Sequence, residues 1–168
     1  MLIRMCHSFC IIVRTESTDQ WREWMGTTLE KLISPNLYRT PSESLKAFEY
    51  ITTVSNFTTF EALSAKYFGA FVMYLIGKRN KNRLGITDER QAMYDALDKW
   101  VDEGVADKQF EGGDAPAMID LEVFGICKAL SNMPVFGDIM KNSKVGPWFV
   151  RMRNAVGDDM RILPQATQ

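Results

Sequence analysis

Apolar residues recur at steps of three and four along most of this chain, and that spacing predicts amphipathic helices. The first stripe follows Ser17-Thr18, which offers a helix cap, and Pro35 is expected to end the helix. The apolar members of this stripe are Trp21, Trp24, Met25, Leu29, Leu32 and Ile33. Apart from a weak alternation at residues 10–13, no run of useful length alternates as a strand does. The pattern therefore predicts an all-α fold.

Three further helix starts are marked by capping residues. Thr40-Pro41-Ser42-Glu43 combines a cap, a proline at the first helical position and a glutamate at the third, and Thr58-Thr59-Phe60-Glu61 repeats the cap and the glutamate. Thr87-Asp88-Glu89 opens the next helix. The helix after Thr58 is expected to bury Leu63, Tyr67, Phe68, Phe71, Tyr74 and Leu75. The helix after Asp88 is expected to bury Met93, Ala96, Leu97, Trp100 and Val101.

The stretch from Gly112 to Leu130 is apolar around nearly the whole helical circumference, which is typical of a helix that neighbours surround. We therefore predict a buried central helix within a bundle of about six to seven helices. Gly125 in mid-helix costs roughly 1 kcal/mol relative to alanine, and this predicts a close helix–helix crossing there. Asp120 lies three residues after Ala117, so its carboxylate is expected to accept from the cap-position N–H. A short helix around residues 136–140 and a last helix from Pro147 follow.

Composition limits the classes of function. The chain has 168 residues, 46% of them hydrophobic and 24% charged, which suits one globular domain. Its net charge of −1 gives no reason to expect a nucleic acid partner. The apolar opening residues 1–14 are too few for a transmembrane span, and none is predicted.

The three cysteines, an odd number, indicate a reducing intracellular compartment rather than a disulfide framework. Cys6 and Cys10 flank the sole histidine, His7, but a zinc site needs further ligands that the chain does not offer. Incidental cysteines are therefore favoured over a redox or metal role. Cys127 lies in the apolar central helix, where burial raises a thiol pKa and opposes a nucleophilic role.

The central helix resembles that of the glutathione S-transferase C-terminal domain, which also carries an aspartate three residues after its cap. A longer series of motifs resembles one branch of that superfamily, the prostaglandin E synthase type 2 family. The most diagnostic string is Ile33-Ser34-Pro35-Asn36-Leu37-Tyr38-Arg39-Thr40-Pro41. The other matches, in order, are Trp21-Arg22-Glu23-Trp24, Ala65-Lys66-Tyr67, Met73-Tyr74-Leu75-Ile76, Asp98-Lys99-Trp100-Val101, Gly112-Gly113, Asp120-Leu121 and Pro147-Trp148. The resemblance divides the chain into an atypical segment 1–13, a transferase-like helical domain 14–156 and a polar tail 157–168.

The resemblance implies a function that this chain shares with a second domain. Members of that family isomerise prostaglandin H2 to prostaglandin E2, bind glutathione and in some forms haem, and pair as homodimers. Their thiols lie in a thioredoxin-like domain with a C-P-F-C motif, and Cys6-His7-Ser8-Phe9-Cys10 is no substitute. We therefore expect no catalytic residue in this chain and no isomerase activity from it alone. The resemblance also implies a location in the cytoplasm or in association with Golgi or mitochondrial membranes. The alternative is a non-catalytic helical module that binds partner proteins.

The best candidate site is a basic turn that contains Lys78, Arg79, Lys81 and Arg83. The resemblance implies that arginines here hold the carboxylates of glutathione or haem, and Arg79 and Arg83 match that pattern while Gly85 departs from it. The alternative is an ordinary solvated helix end with cations. No metal ligand is predicted.

Two other groups of residues have open interpretations. Tyr38-Arg39-Thr40 is either the mouth between two domains or a helix-connecting turn capped by Thr40. Trp100 and Trp148 are interpreted as core or domain-contact aromatics. Arg90, Asp95 and Asp98 are interpreted as solvated surface.

Overall fold

The computed structural model describes residues 16–54 and 59–157. The weak strand pattern, Cys6, His7, Cys10 and the Thr58 cap all lie outside these ranges. The helical segments are α1 (Glu16–Trp24), π1 (Met25–Leu29), α2 (Glu30–Leu37), α3 (Pro41–Val54), α4 (Thr59–Ser64), π2 (Ala65–Gly69), α5 (Ala70–Arg83), α6 (Glu89–Lys99), π3 (Trp100–Val105), α7 (Met118–Ala129), α8 (Pro134–Asn142) and α9 (Val145–Val156).

Several segments join end to end, so the described residues form seven continuous helical rods. The only extended pairing among them is an isolated bridge between Phe110 and Gly113. The predicted all-α class is therefore confirmed. No rod within residues 16–54 or 59–157 combines the length and apolarity needed to cross a membrane.

The first rod, residues 16–37, departs from the prediction at both ends. Thr18 lies inside the helix and donates to Glu111, 3.4 Å away, so the expected Ser17-Thr18 cap is wrong. Pro35 does not end the helix, which continues to Leu37. A proline removes its own N–H from the helical ladder and crowds the carbonyl four residues earlier, yet the helix continues here. The Asn36 side chain ties this end of the helix to the start of α6, because it donates to the carbonyl oxygens of Leu32 at 2.9 Å and Glu89 at 2.7 Å.

The main core lies between the first rod, residues 89–105 and α7 to α9, and we call this part the bundle. Its centre is a chain of edge-to-face indoles, with ring centroids 5.4 Å apart for Trp21 and Trp100 and 5.8 Å apart for Trp100 and Trp148. Trp100 and Trp148 are fully buried, which confirms their interpretation as core. The buried residues of α6, Met93, Ala96 and Leu97, also match the predicted stripe.

Asp120 connects the start of α7 to two other parts of the bundle. Its carboxylate accepts from the backbone N–H of Ala117 at 2.9 Å, as predicted, and from that of Glu111 at 3.1 Å. It also accepts from Gly112 N–H at 3.4 Å and from the indole Nε1 of Trp148 at 3.2 Å. The side chain is fully buried. A charge this deep is tolerated because four donors replace its water.

The expected crossing at Gly125 is wrong. A Cβ atom built on Gly125 meets no atom within 4 Å, so no described helix approaches there. Helix α7 buries Ile119, Val123, Phe124 and Cys127 but leaves the side with Gly125 and Ala129 open. The periodicity of apolar residues identifies the apolar faces of a helix, but it does not show whether other helices of this chain pack on all of those faces.

The rod of residues 59–83 packs along α3, and we call this pair the hairpin. Its predicted burial is wrong at five positions, because Leu63, Tyr67, Phe68, Phe71 and Leu75 are exposed, Phe68 by 72%. None of the main-core residues comes from α3, α4 or π2. The apolar stripe exists, but no described helix lies over it.

Arg90 links the hairpin to the bundle and is buried, so its interpretation as solvated surface is wrong. Its guanidinium contacts Glu43 of α3 at 3.2 Å, Asp138 of α8 at 3.4 Å and the Asn36 side-chain oxygen at 3.3 Å. Asp95 is exposed, as expected. Asp98 is half-buried and accepts from Lys144 N–H at 2.7 Å, which ties α6 to the start of α9. Helix α9 begins at Val145, two residues before the predicted Pro147.

Candidate functional site

A small polar cleft lies between α2 and the carboxyl end of α5. It encloses about 240 Å³ and is lined by Glu30, Lys31, Ser34, Asn80, Arg83 and Leu84. Residues 30, 31 and 34 lie within one turn of helix, as do residues 80 and 83, so two packed helices create the cleft. Asn80 is held near Ser34, with Nδ2 to Oγ at 3.5 Å.

The four cations of the basic turn have different surroundings. Both arginines are exposed, but Arg83 lines the cleft and Arg79 lies outside it. Lys81 forms an ion pair with Glu89, and the Lys78 Nζ lies 5.6 Å from the centre of the Tyr74 ring. Within the described residues, Arg79 and Arg83 have no acidic partner. Of the two predicted carboxylate-binding residues, the structure places only Arg83 in a concave site.

Lys31, Ser34 and Asn80 complete the cleft, and sequence reasoning did not select them. Lys31 adds a second cation, while Ser34 and Asn80 add groups that can donate hydrogen bonds. Ser34 belongs to the diagnostic Ile33–Pro41 string, which was the available signal. Lys31 lies on the polar side of an amphipathic helix, where no sequence pattern separates it from ordinary surface lysines.

A larger apolar groove lies beside this cleft, along the open side of α7. It encloses about 500 Å³, and its lining consists of Met25, Glu30, Ile33, Glu122, Gly125, Ile126, Ala129 and Leu130. Glu30 lines both the groove and the cleft, so the two are adjacent. Glu122 is neutralised at the edge by Arg22, with Oε1 to NH2 at 2.9 Å. The groove lining is therefore mainly apolar, and it shares Glu30 with the cleft that contains Lys31 and Arg83.

The turn at Tyr38-Arg39-Thr40 has the geometry of a helix connection. Thr40 Oγ1 accepts from the Glu43 N–H at 3.2 Å, which is the predicted cap, and Arg39 pairs with Glu43 at 2.9 Å. Tyr38 is half-buried against Phe48, and burial raises the pKa of its phenol.

The one cysteine within the described residues has an unreactive thiol. Cys127 is fully buried in α7, and burial raises the pKa of its thiol to about 12. The thiolate is therefore scarce near neutral pH, as the sequence predicted. Residues 16–54 and 59–157 also contain no group of histidine, cysteine and acidic side chains that could hold a metal ion. The residues that line the cleft give it two cations, Lys31 and Arg83, and two hydrogen-bonding side chains, Ser34 and Asn80, beside one carboxylate, Glu30.

Two comparisons with known proteins bear on this arrangement. The chain is 43% identical over 144 residues to prostaglandin E synthase 2 of Mus musculus, which covers 85% of the chain and 37% of that relative. It is 44% identical over 137 residues to prostaglandin E synthase 2 of Danio rerio, which covers 81% of the chain and 36% of that relative. No family model matches the chain. The predicted resemblance is confirmed, and the chain spans little more than a third of these relatives' length.

Proposed function

We propose that this chain is the helical part of a prostaglandin E synthase 2-like isomerase and that a thioredoxin-like part docks in the α7 groove. The overall reaction is the isomerisation of prostaglandin H2 to prostaglandin E2. In this arrangement the helical part, which has the fold type of transferase C-terminal domains, supplies a docking surface and an anion site. The docked part supplies the thiols.

The observation that carries this proposal is the adjacency of the groove and the cleft through Glu30. A domain seated on Gly125 and Ala129 covers an otherwise open apolar surface and brings its own residues next to Arg83 and Lys31. Ligands favour such boundaries between domains. Arginine's planar fork suits a carboxylate, so Arg83 is assigned to a carboxylate of glutathione.

The size of the cleft supports a shared site. At about 240 Å³ it lies below the range of roughly 300–1,000 Å³ that is usual for ligand pockets. It therefore accommodates the carboxylate end of glutathione, and the docked part would complete the enclosure. A haem propionate presents the same chemistry to Arg83, and none of the residues that line the cleft is a histidine, cysteine, methionine or tyrosine, the types that hold haem iron.

Cys127 supports the assignment of the thiols to another part, because a thiol with a pKa of about 12 is a poor nucleophile. In an assay of the purified chain with prostaglandin H2 and glutathione, we expect no turnover above background. Turnover that survives the replacements Cys6→Ser and Cys10→Ser would overturn the requirement for a second part.

The docking step is tested with a substitution that fills the groove. Gly125→Trp adds a side chain where a Cβ atom meets nothing within 4 Å, so the chain should fold while the groove is blocked. Gly137→Trp is the matched control, since that glycine of α8 is equally open and lies outside the groove. The part of the Mus musculus relative that lies outside the matched 144 residues is supplied separately. We expect Gly125→Trp to weaken the complex at least about tenfold and Gly137→Trp to leave it unchanged.

The complex also tests the anion site. Arg83→Ala should weaken glutathione binding by the complex about tenfold, and Arg153→Ala, an exposed arginine of α9, should not. If the wild-type chain forms no complex, or if Gly125→Trp binds as tightly as wild type, the groove is not the docking site.

A non-catalytic protein-interaction module is the second candidate function. The observation that favours it is the exposed apolar face of the hairpin, since contiguous apolar surface on this scale marks contact sites. If addition of the thioredoxin-like part restores isomerase activity, that result would favour the isomerase over the protein-interaction module. A location in the cytoplasm, or in association with Golgi or mitochondrial membranes, stays a prediction from the resemblance.

A further inference from the structure

The cleft between α2 and α5 is lined by charges of both signs. Glu30 and Lys31 belong to α2, and Arg83 is the last residue of α5. Among residues 16–54 and 59–157, none of these three side chains forms an ion pair. They line one space of about 240 Å³ as two unpaired cations and one unpaired carboxylate. A ligand that offers only a carboxylate would pair with the cations and leave Glu30 without a partner.

The walls of the cleft are fixed by packing within this chain. Helix α5 passes α2 so closely at Gly77 that a Cβ atom built there would lie 3.3 Å from the Ser34 carbonyl oxygen. One turn later, Asn80 Nδ2 lies 3.5 Å from Ser34 Oγ, and Arg83 follows after one further turn. The backbone positions of the charged residues are therefore set before any second part docks.

The pattern of charges in the cleft matches an α-amino-acid group, which has a carboxylate and an ammonium on one carbon atom. The γ-glutamyl end of glutathione is such a group. The glycyl end of glutathione and a haem propionate offer a carboxylate alone, and either would bring a second negative charge beside Glu30. Like charges placed side by side weaken binding, so charge complementarity favours the γ-glutamyl end.

We propose that Glu30 receives the ammonium of the γ-glutamyl end of glutathione, while Arg83 and Lys31 receive the carboxylate of the same end. Glutathione as the ligand and the α7 groove as the docking site are both taken from the proposed function, on which this assignment rests. Glu30 is then the residue that distinguishes glutathione from carboxylates that lack an ammonium.

Glu30 also connects ligand binding to docking, because it lines the groove as well as the cleft. The other carboxylate of the groove, Glu122, is already paired with Arg22 at 2.9 Å. A part docked in the groove withdraws Glu30 from water, and a carboxylate withdrawn from water needs a paired cation. The ammonium of the ligand supplies that cation. Glutathione and the docked part should therefore strengthen each other's binding by the same factor.

A cation supplied by the docked part is the alternative partner for Glu30. Lys31 and Arg83 line the same small cleft, so a lone cation placed there meets two like charges. The γ-glutamyl end carries its own carboxylate to those two cations. The charges of the cleft therefore favour the ligand over a cation of the docked part.

Calorimetric titration of the complex tests the contact with the ammonium. The complex consists of the full chain and the part of the Mus musculus relative outside the matched 144 residues. Wild type should bind glutathione at least about tenfold more tightly than glutaryl-cysteinylglycine, which is glutathione without its α-amino group. Glu30→Gln should bind the two ligands equally. Glu23→Gln is the control and should keep the preference, since Glu23 is an exposed residue of α1 outside the cleft and the groove.

Docking affinities measured with and without glutathione test the coupling. Saturating glutathione should tighten docking of the wild-type chain at least about tenfold and docking of Glu30→Gln by less than about twofold. Without glutathione, Glu30→Gln should dock at least as tightly as wild type, because it removes a carboxylate that docking leaves unpaired.

Four outcomes would overturn the assignment of Glu30. They are a wild-type complex that binds glutathione and its glutaryl analogue equally, a Glu30→Gln complex that keeps the preference, wild-type docking that glutathione does not tighten, and a Glu30→Gln chain that docks more weakly than wild type without glutathione. The last outcome would assign the cation to the docked part. In all four the wild-type complex forms, whereas a failure of the proposed function shows as a wild-type chain that forms no complex.

Discussion

The bundle and the hairpin have similar apolar stripes, but their aromatic residues have opposite surroundings. In the bundle, Trp100 and Trp148 are fully buried and pack edge to face. In the hairpin, Phe60 is exposed by 80% and Phe68 by 72%. The difference teaches that a stripe identifies the side of a helix that is to be buried, whereas the partner that buries it need not be in the same chain.

The bundle and the hairpin also differ in their polar contacts between distant parts of the chain. The bundle has Asp120, which joins α7 to Glu111 and Trp148, so its apolar contacts are reinforced by long-range hydrogen bonds. The hairpin packs on the bundle through α5 against α2, and its own two rods meet closely where Phe48 approaches Gly69. A Cβ at Gly69 would lie 2.4 Å from the Phe48 ring, so this close approach requires glycine. The following predictions compare the two regions, from the largest expected effect to the smallest.

Removal of the Asp120 carboxylate should be the most damaging single change. Asp120→Ala leaves buried donors of Glu111, Ala117 and Trp148 without an acceptor, and each costs about 1–3 kcal/mol. We expect a loss of about 5 kcal/mol in the free energy of unfolding, measured in urea. Asp114→Ala, at an exposed site nearby, should change it by less than about 0.5 kcal/mol. A small loss for Asp120→Ala would show that the network does not stabilise the bundle.

Two phenylalanine-to-alanine substitutions, one in the bundle and one in the hairpin, measure directly how much each ring contributes to stability. Phe124 of α7 is exposed by only 3%, so Phe124→Ala should reduce the free energy of unfolding by about 4 kcal/mol. Phe68→Ala removes a ring that already faces solvent and should cost less than about 1 kcal/mol in dilute, monomeric protein. Urea unfolding at low protein concentration gives both values. Comparable losses would mean that the exposed apolar side chains of the hairpin are covered within one chain.

Local signals in the sequence predicted much of the fold correctly. Thr40, Asp88 and Asp120 were identified as groups that satisfy backbone donors at helix starts, and each accepts the expected N–H. Capping depends on residues three or four positions apart, so a sequence contains the whole signal. The all-α class and the buried indoles followed from periodicity in the same way.

The errors share a different cause, which is dependence on residues far away in the sequence. Arg90 is buried because Asn36, Glu43 and Asp138 converge on it, and no local pattern shows that convergence. Gly125 was assigned to a crossing, although the surface over it is open. In the candidate site, Arg83 was found through a resemblance, while Lys31 could be recognised only once α2 lay against α5. Long-range packing decided each of these cases.

Arg90 is the junction between the two regions, so its loss should affect the hairpin more than the bundle. Arg90→Ala leaves Glu43 with Arg39 as its remaining partner, and we expect a loss of about 2–3 kcal/mol in the free energy of unfolding. Amide hydrogen exchange should accelerate in α3 more than in α7. Arg39→Ala, which removes the more exposed partner of the same carboxylate, should cost less than about 1 kcal/mol. Equal acceleration in α3 and α7 would show that Arg90 does not act as a junction.

The smallest expected effect is a pH dependence at the start of α6, where Glu89 meets Lys81 of the hairpin. Burial alone would raise the pKa of Glu89, but the Lys81 ammonium outweighs it and holds the pKa below the usual 4.5. Because the folded pKa is the lower one, the stabilisation is complete above about pH 5 and is lost as the pH falls through the folded pKa.

We expect Glu89→Gln to remove less than about 1 kcal/mol of stability near neutral pH and to flatten the decline below about pH 4.5. Urea midpoints measured across that range provide the test. Glu103→Gln is the control, since Glu103 is exposed and pairs only loosely with Lys99 at 3.8 Å. An unchanged decline in Glu89→Gln would assign the acid sensitivity to other carboxylates, such as Asp88, whose pKa is lowered by the backbone N–H groups of Gln91 and Arg90. The ion pair between hairpin and bundle would then add nothing to the attachment that Arg90 provides.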